Sequence, residues 1–490
     1  MDKQAYLQII QDVIDTGVYK DDWNSLQNYQ VPAWYKDLKF GIFIHWGVYS
    51  VPAYRNEWYP RCMYIQGSEE YEHHRRVYGP QHEFGYKDFI PMFQAEKFNA
   101  EEWAELFKQS GAKYVIPVAE HHDGFQMYRS EFSHWNSYEM GPRKDILGDL
   151  TGAFQKFNLV NGASSHRIEH WFFMGHGKEF QSDIKEPLKE GDFYWPAMPE
   201  PNHQDLFSEP APSKEFLEDW LVRTCEIVDR YQPKIVYFDW WIQHSAAKPY
   251  IKKFAAYYYN RGLEWKTPVV INYKHDAFQF GSAVVDIERG QFDEIQPFYW
   301  QTDTAVAKNS WCYTENNDYK KSTNLIRDLI NIVSKNGNLL LNIGPKADGT
   351  IPEEDKKILL EIGDWLHING EAIYGSKPWR IASEGPTKTP KGQFTDGSSI
   401  EYTSEDICFT VKGSYLYATA MNYAEDGYLC IRSLGEQDAS SLPKFHGIIL
   451  DVEVLGFTER PILTRDSEGL KIHTSSVKSE KPIVFKIKID

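Results

Sequence analysis

Cysteine is scarce in this chain of 490 residues, with five positions in all. The five are widely separated and show none of the paired spacings that zinc ribbons use. Because they are odd in number and isolated, a disulfide framework is not indicated either. We expect reduced, buried thiols at these positions: Cys62, Cys225, Cys312, Cys408 and Cys430.

Long hydrophobic runs are also missing. No stretch approaches the ~18 consecutive apolar residues of a membrane-spanning helix. The start, from Met1 to Tyr6, has no basic region followed by an apolar run, so a signal peptide is not indicated. The sequence therefore predicts a cytoplasmic protein without a membrane partner, unless a leader has been removed.

Positive charge is the third shortage, because 53 Lys and Arg residues stand against 70 Asp and Glu residues. The net charge of −17 repels nucleic acids and anionic membrane surfaces. Nucleic acid is therefore not an expected partner. The sequence does not indicate an oligomeric state.

Aromatic residues, in contrast, are abundant, at 15% of the chain. The apolar share of 42% and the charged share of 25% are those of an ordinary folded protein, which excludes disordered and fibrous classes. Surplus rings line sugar sites as well as cores. The composition is compatible with a carbohydrate ligand without deciding for one.

Strand-like and helix-like segments alternate between about Tyr35 and Ser376, which is the pattern of βα units around a parallel sheet. An eighth strand is expected near residues 298–300, and eight strands favour a closed (β/α)8-like TIM barrel. The seven other predicted strands span residues 40–45, 114–120, 159–165, 235–239, 269–273, 284–288 and 339–343.

Three domains are predicted along the chain. Residues 1–32 form a helical arm packed on the barrel, with Leu7, Ile10 and Val13 at helical spacing. Residues 33–379 form the barrel. Residues 380–490 form a C-terminal antiparallel β-sandwich, because apolar and polar residues alternate over 483–489. The stretch 383–392 is a linker or edge loop.

Polar residues gather where the predicted strands end, and in parallel barrels function collects at these carboxyl ends. Asp239 and Glu288 end separate strands, as the nucleophile and the proton donor of a glycosidase would. Other interpretations stay open: Asp239 as a turn cap, Glu288 with Arg289 as a structural ion pair, or Asp286 or Asp293 as the acid.

The neighbouring His121 and His122 suggest a metal site. However, adjacent residues of a strand point to opposite faces of the sheet, so the two side chains are poorly placed to bind one ion. Hydrogen bonding to ligand hydroxyls fits better, so no metal and no cofactor are expected. A second hypothesis is a metal-dependent barrel hydrolase with His45, His121, His122 and Asp239 as ligands. A third is a non-catalytic carbohydrate-binding protein, which would gain nothing from the second carboxylate.

Six ordered segments carry a more specific pattern. They are residues 34–47 (WYKDLKFGIFIHWG), 56–59 (NEWY), 120–125 (EHHDGF), 237–239 (YFD), 310–313 (SWCY) and 337–345 (GNLLLNIGP). Through these segments the region from Trp34 to Trp379 resembles the α-L-fucosidases of glycoside hydrolase family 29. The family's usual C-terminal β-sandwich fits the remainder of the chain.

The resemblance implies a retaining exo-hydrolase that removes terminal α-L-fucose from fucosylated oligosaccharides or glycoconjugates through a covalent fucosyl-enzyme intermediate. It implies Asp239 as the nucleophile. Glu288 is the best-placed acid and base, with Asp286 and Glu294 as alternatives. The implied substrate-binding residues are His45, Glu57, Trp58, His121, His122 and, in the 310–313 segment, Trp311.

The chain departs from the family pattern at three places. Residues 162–166 read GASSH where members commonly have Gly-Leu-Tyr-Tyr-Ser, so His166 or Trp171 is expected to replace the usual tyrosine contact. Trp240 follows the implied nucleophile where many members have glycine, and Cys312 also replaces a glycine. Linkage preference among α1,2, α1,3/4 and α1,6 bonds, and the aglycone, therefore do not follow from the sequence.

Overall fold

A closed barrel of eight parallel strands forms the first part of the computed structural model, which describes residues 2–396, 400–436 and 445–490. Neighbours in sequence pair in order, and β1 closes the barrel against β8. This confirms the predicted TIM-like barrel. The strands are β1 Phe40–Ile44, β2 Tyr114–Glu120, β3 Val160–Ser165, β4 Ile235–Phe238, β5 Val270–Tyr273, β6 Val284–Glu288, β7 Trp300–Ala305 and β8 Gly337–Ile343.

Helices alternate with most of the barrel strands, although β5 to β6 and β6 to β7 are joined through described residues without an α-helix. The α-helices are α1 Lys3–Thr16, α2 Trp23–Leu26, α3 Ala33–Leu38, α4 Tyr59–Cys62, α5 Glu69–Val77, α6 Ala100–Gln109, α7 Ile146–Lys156, α8 His170–Phe173, α9 Lys214–Tyr231, α10 Lys248–Glu264, α11 Ser322–Ser334 and α12 Glu353–Asn369. Short 3₁₀ helices span Val48–Ser50, Tyr86–Met92, Arg167–Glu169, Gly175–Lys178, Ser245–Ala247, Gly370–Ala372 and Arg432–Leu434.

Side-chain caps begin several of the barrel helices, α6 and α9 among them. Asn99 accepts hydrogen bonds from two backbone N–H groups of the first turn of α6, and Ser213 accepts one from Phe216 at the start of α9. Gly111, just beyond α6, has a φ of 86°, a left-handed conformation that favours glycine.

The eighth strand lies later in the chain than predicted, because only Trp300 of the expected 298–300 segment belongs to β7. Four consecutive polar residues, Gln301 to Thr304, follow it and are all buried. Such a strand lacks the apolar pattern by which strands are recognised in a sequence. It is stable here because its inward side chains bond within the barrel, as Gln301 does with the hydroxyls of Tyr35 and Tyr114.

Large side chains fill the barrel interior, among them Phe43, Tyr114, Tyr237 and Leu340. Outside the strands, α1 packs against α9 and α10 through its buried face. That face consists of Tyr6, Ile10 and Ile14, while the expected Leu7 and Val13 are only partly buried beside it. The predicted domain boundaries at 32 and 379 remain a prediction.

Two antiparallel sheets enclose a common core in the C-terminal part of the described chain, as expected for a β-sandwich. One sheet has the order β13-β16-β11-β10-β9 and the other β12-β15-β14. The first two residues of the predicted 383–392 linker belong to the edge strand β9. The strands are β9 Lys377–Glu384, β10 Ile407–Lys412, β11 Tyr415–Ala420, β12 Tyr428–Ile431, β13 Ile449–Val454, β14 Ile462–Arg465, β15 Leu470–His473 and β16 Ile483–Ile489.

All five cysteines are free, as expected for reduced thiols. Cys225, Cys312 and Cys408 are buried, whereas Cys62 and Cys430 are partly exposed, contrary to the expectation that all five are buried. Among the described helices, none combines the length and the apolar character needed to span a membrane.

Candidate active site

The carboxyl ends of strands β1 to β7 surround a narrow cavity. Nearly all of the site residues predicted from the sequence line it, with the exception of Trp171. The lining residues are Phe43, His45, Glu57, Trp58, His121, His122, His166, Tyr237, Asp239, Trp240, Lys274, Glu288, Asp303 and Trp311.

Asp239 directly follows β4, whose four apolar residues are buried. Its Oδ2 accepts a hydrogen bond of 3.2 Å from Nδ1 of His166, and Nε2 of His122 lies 3.6 Å from the same oxygen. Lys274 Nζ lies 3.7 Å from the other oxygen, Oδ1. Burial alone would raise the pKa of Asp239, but the His166 hydrogen bond and the Lys274 charge hold it well below the ordinary range. Asp239 is therefore a carboxylate at neutral pH.

Glu288 is the last residue of β6. Its Oε2 accepts hydrogen bonds from Lys274 Nζ at 2.8 Å and from the Trp240 indole N–H at 2.6 Å. Burial raises the pKa of Glu288 to about 7; the Lys274 charge opposes this rise, and the acids Asp303 and Asp239 add to it. The two carboxyl groups thus have pKa values shifted in opposite directions, as an acid and a nucleophile in one site require.

Lys274 connects these carboxyl groups from the end of β5, and its side chain is only 1% exposed. It also lies 3.1 Å from Asp303 and 3.7 Å from Asp286. Burial disfavours its charge, but the surrounding acids, Asp303 and Glu288 foremost, raise its pKa above the ordinary value. Lys274 is therefore a fixed cation between the two candidate catalytic groups.

Burial lowers the pKa of His45, His121 and His122, so these imidazoles are neutral. Nδ1 of His45 donates to the Asn342 side-chain oxygen at 2.7 Å, which leaves Nε2 as an acceptor. Nδ1 of His122 donates to the backbone oxygen of His166 at 3.1 Å. Nδ1 of His121 is buried and has no hydrogen-bond partner among the described residues. A buried unpaired polar atom is costly, which indicates a polar ligand.

Glu57 and two indoles complete the cavity. Glu57 accepts a 3.0 Å hydrogen bond from the backbone N–H of Trp311, and the Arg289 guanidinium lies 4.4 Å from the centre of the Trp311 ring. Burial raises the pKa of Glu57. The Trp58 ring packs against His122 at 5.7 Å. The cavity therefore combines polar atoms that suit hydroxyl groups with flat apolar surfaces.

Trp171 lies apart from the cavity, although the sequence suggested it as a substitute contact. It is fully buried, packs against the Trp241 ring at 5.1 Å and donates its indole N–H to Pro210. Of the two residues expected to replace the tyrosine contact, His166 is the one that the structure brings to Asp239. Trp171 follows the 3₁₀ turn after β3, which carries it into the packing between helices.

Glu288 lines the cavity, whereas the three other acids that the sequence left open do not. Asp286 is fully buried and accepts a 2.8 Å hydrogen bond from Gln301. Asp293 and Glu294 are exposed. Asp303, which lies on β7, was not predicted as a site residue. Lys274 was not assigned a role either, although its position just after β5 could have indicated one.

Within the described part of the chain, two groups of side chains have the spacing to hold a metal ion. One is His45, His121 and His166, and the other is His122, His166 and Asp239, each with candidate ligand atoms within 4.8 Å of one another. The four ligands of the metal-hydrolase hypothesis are thus divided between two groups that share His166. By distance alone either group could take a transition metal, since imidazole suits such ions.

Comparison with known proteins adds to this geometry. Residues 6–371 match the family described as Alpha-L-fucosidase. A tissue alpha-L-fucosidase of Rattus norvegicus is 34% identical over 428 residues, which cover 85% of this chain and 81% of the relative. An alpha-L-fucosidase of Dictyostelium discoideum is 33% identical over 396 residues, 77% of this chain and 78% of the relative. The crystal structure of Thermotoga maritima alpha-fucosidase in complex with a mechanism based inhibitor is 28% identical, with a TM-score of 0.73, covering 96% of this chain and 100% of that chain.

Proposed function

The chain belongs to the alpha-L-fucosidase family of glycoside hydrolases, and from this premise we propose that it cleaves terminal α-L-fucosides by double displacement, with retention of configuration and a covalent fucosyl-Asp239 intermediate. The inhibitor in the Thermotoga maritima complex is described as mechanism based, which is consistent with such an intermediate. The substrates are fucosylated oligosaccharides or glycoconjugates.

The observation that carries this proposal is the shared contact of both carboxyl groups with Lys274. Its ammonium lies 3.7 Å from an oxygen of Asp239 and 2.8 Å from an oxygen of Glu288. These two oxygens therefore lie no more than about 6.5 Å apart, and this upper bound admits the about 5–5.5 Å between carboxyl groups that retaining enzymes use.

In the first step, an oxygen of Asp239 attacks the anomeric carbon of fucose and forms the new C–O bond. Glu288 donates its proton to the glycosidic oxygen, so that the bond to the aglycone breaks and the aglycone leaves as an alcohol. In the second step, Glu288 takes a proton from a water molecule. The water oxygen then attacks the same carbon and releases Asp239.

Lys274 supplies a fixed positive charge throughout this cycle. As Glu288 loses its proton, the carboxylate that forms already has the ammonium at 2.8 Å, so little reorganisation is needed. The same charge keeps Asp239 deprotonated and ready to attack. We assign Lys274 as a positioning residue for both carboxyl groups.

Seven of the lining residues bind the fucose ring in this proposal. The four histidines His45, His121, His122 and His166 and the acid Glu57 bond to hydroxyl groups, and Trp58 and Trp311 cover apolar parts of the sugar. The unpaired Nδ1 of His121 supports this assignment, since a sugar hydroxyl would supply its missing partner. Activity should resist extended dialysis against EDTA, because two carboxyl groups already supply the nucleophile and the proton transfer.

The test is a substrate panel with purified protein: an aryl α-L-fucoside and glycans that carry α1,2-, α1,3/4- and α1,6-linked fucose. Release of L-fucose from the aryl fucoside and at least one glycan is expected. A protein that binds fucose but turns over none of these substrates would instead be the carbohydrate-binding protein of the third hypothesis.

A further inference from the structure

Residues 392–396, which begin at the last residue of the predicted linker, lie directly against the end of the strand that carries Glu288. The backbone N–H of Phe394 donates to the carbonyl of Glu288 at 2.9 Å, and that of Thr395 donates to the carbonyl of Arg289 at 2.8 Å. Gly392 and Gln291 exchange two backbone hydrogen bonds, at 2.9 and 3.2 Å. This 392–396 segment is therefore paired with the β6 end of the barrel.

The 392–396 segment is also held by its last side chain. Asp396 accepts hydrogen bonds from the buried Lys320 and from Thr304 on β7, and the Arg289 guanidinium lies 3.6 Å from it. Three partners from different parts of the barrel thus fix one carboxylate. Because several bonds act together, the segment has a defined position beside the β6 end of the barrel rather than a loose one.

Close approach of the two backbones depends on a glycine. A Cβ atom on Gly290 would lie 1.8 Å from the carbonyl oxygen of Gly392, which no backbone contact allows. Glycine at position 290 is thus the residue that permits the 392–396 segment to reach the site.

Phe394 is an exposed residue of this segment. Its side chain is 57% exposed, and its φ is 56°, a left-handed conformation that is costly for a residue with a Cβ atom. Its ring lies 6.1 Å from that of Trp240 in a stacked arrangement, with an interplanar angle of 26°. Trp240 in turn lines the cavity and donates to Glu288. Two aromatic rings therefore extend from the acid toward solvent.

We propose that Trp240 and Phe394 bind the sugar ring to which fucose is linked. This inference rests on the proposed function: Glu288 protonates the oxygen that joins the two sugars, so the second sugar must lie beside Glu288. Trp240 contacts Glu288 directly, and Phe394 continues from Trp240. Aromatic faces pack well against the apolar face of a pyranose ring, and they accept different linkages because they impose few directional bonds.

The experiment compares two substrates that both need acid assistance but differ in the second ring. Methyl α-L-fucoside has a poor leaving group and no second ring, and a fucosyl-α1,2-galactoside has a poor leaving group and a pyranose aglycone. Phe394→Ala should lower the ratio of kcat/KM for the disaccharide to that for the methyl fucoside on the order of tenfold, the effect of uncovering part of one ring face. Phe394→Gly, which also relieves the backbone strain, should lower it equally, and Phe394→Trp should preserve it.

The matched control is Phe280→Ala, which removes an aromatic side chain that is 64% exposed and lies outside the cavity lining. This variant should leave the ratio unchanged. An unchanged ratio in both Phe394→Ala and Phe394→Gly would overturn the proposal. Equal losses of kcat/KM on both substrates are one form of this unchanged ratio. They would show that the 392–396 segment only positions Glu288. If the wild-type protein cleaves neither substrate nor an aryl fucoside, the proposed function itself fails.

Discussion

Trp240 donates its indole N–H to Oε2 of Glu288 at 2.6 Å, the oxygen that also accepts from Lys274. One carboxyl oxygen of the proposed acid thus has two donors, and its orientation toward the cavity is fixed before a ligand binds. The tryptophan stands where many family members have glycine. The replacement of this glycine by Trp240 is one reason why the aglycone could not be predicted from the sequence. The same replacement places an aromatic ring against Glu288.

Asp239→Asn should abolish turnover while the fold persists. The amide preserves the size of the side chain but cannot attack the anomeric carbon, so kcat should fall by several orders of magnitude, as for other catalytic groups that act as a unit. The rate on an aryl fucoside, with thermal unfolding as the folding control, measures this. A kcat within tenfold of wild type would remove Asp239 from the mechanism.

Glu288→Ala should slow substrates with poor leaving groups far more than activated aryl fucosides, because only the former need a proton from the enzyme. Azide should partly restore the rate on aryl fucosides, since it attacks the fucosyl intermediate without a general base. The same pattern is not expected for Asp286→Ala or for the exposed Glu294→Ala. If either of these shows azide rescue and Glu288→Ala does not, the acid and base is the residue so identified.

The pH profile of kcat/KM should follow the two opposite pKa shifts. Glu288 must be protonated to donate, so activity should fall as pH rises through about 7, the value to which its pKa is raised. Asp239 must be ionised, and because its pKa lies well below the usual range, activity should persist at pH values below 5 where the fold does. Glu288→Ala, assayed on an aryl fucoside, should lack the fall near neutral pH. A basic limb that stays in this variant would assign it to another group.

Lys274→Met should destabilise the protein by about 3–5 kcal/mol, because it leaves the buried Asp303 and its acidic neighbours without their cation. Loss of the positive charge should also move the basic limb of the pH profile upward, since Lys274 lowers the pKa of Glu288. Urea unfolding measures the first effect. Lys308→Met, which removes an ion pair with the exposed Asp318, is the control and should cost less than about 1 kcal/mol.

Much of the barrel could be predicted from the sequence, because most of its strands contain short runs of apolar residues. Strand β7 is the exception, since its residues from Gln301 to Thr304 are polar and buried. Their stability comes from partners such as Tyr35, Tyr237 and Lys274, which are distant in sequence. No local pattern could show those contacts, and Asp303 was missed for the same reason.

The candidate site could be predicted where a polar or ionisable residue lies at the carboxyl end of a predicted strand, as Asp239, Glu288 and the histidines do. The prediction that Trp171 contacts the substrate was wrong. A 3₁₀ turn after β3 redirects the chain, so Trp171 lies close to His166 in sequence but does not line the cavity. Phe394 could not have been found, since its place beside Trp240 arises from pairing between segments more than a hundred residues apart.

The anomeric configuration of the first-formed fucose, followed by NMR before mutarotation, tests the proposed mechanism most directly. Two displacements at one carbon restore the original configuration, so α-L-fucose should appear first and equilibrate later with the β anomer. First-formed β-L-fucose would require a single displacement by water and would contradict the role of Asp239 as a covalent nucleophile.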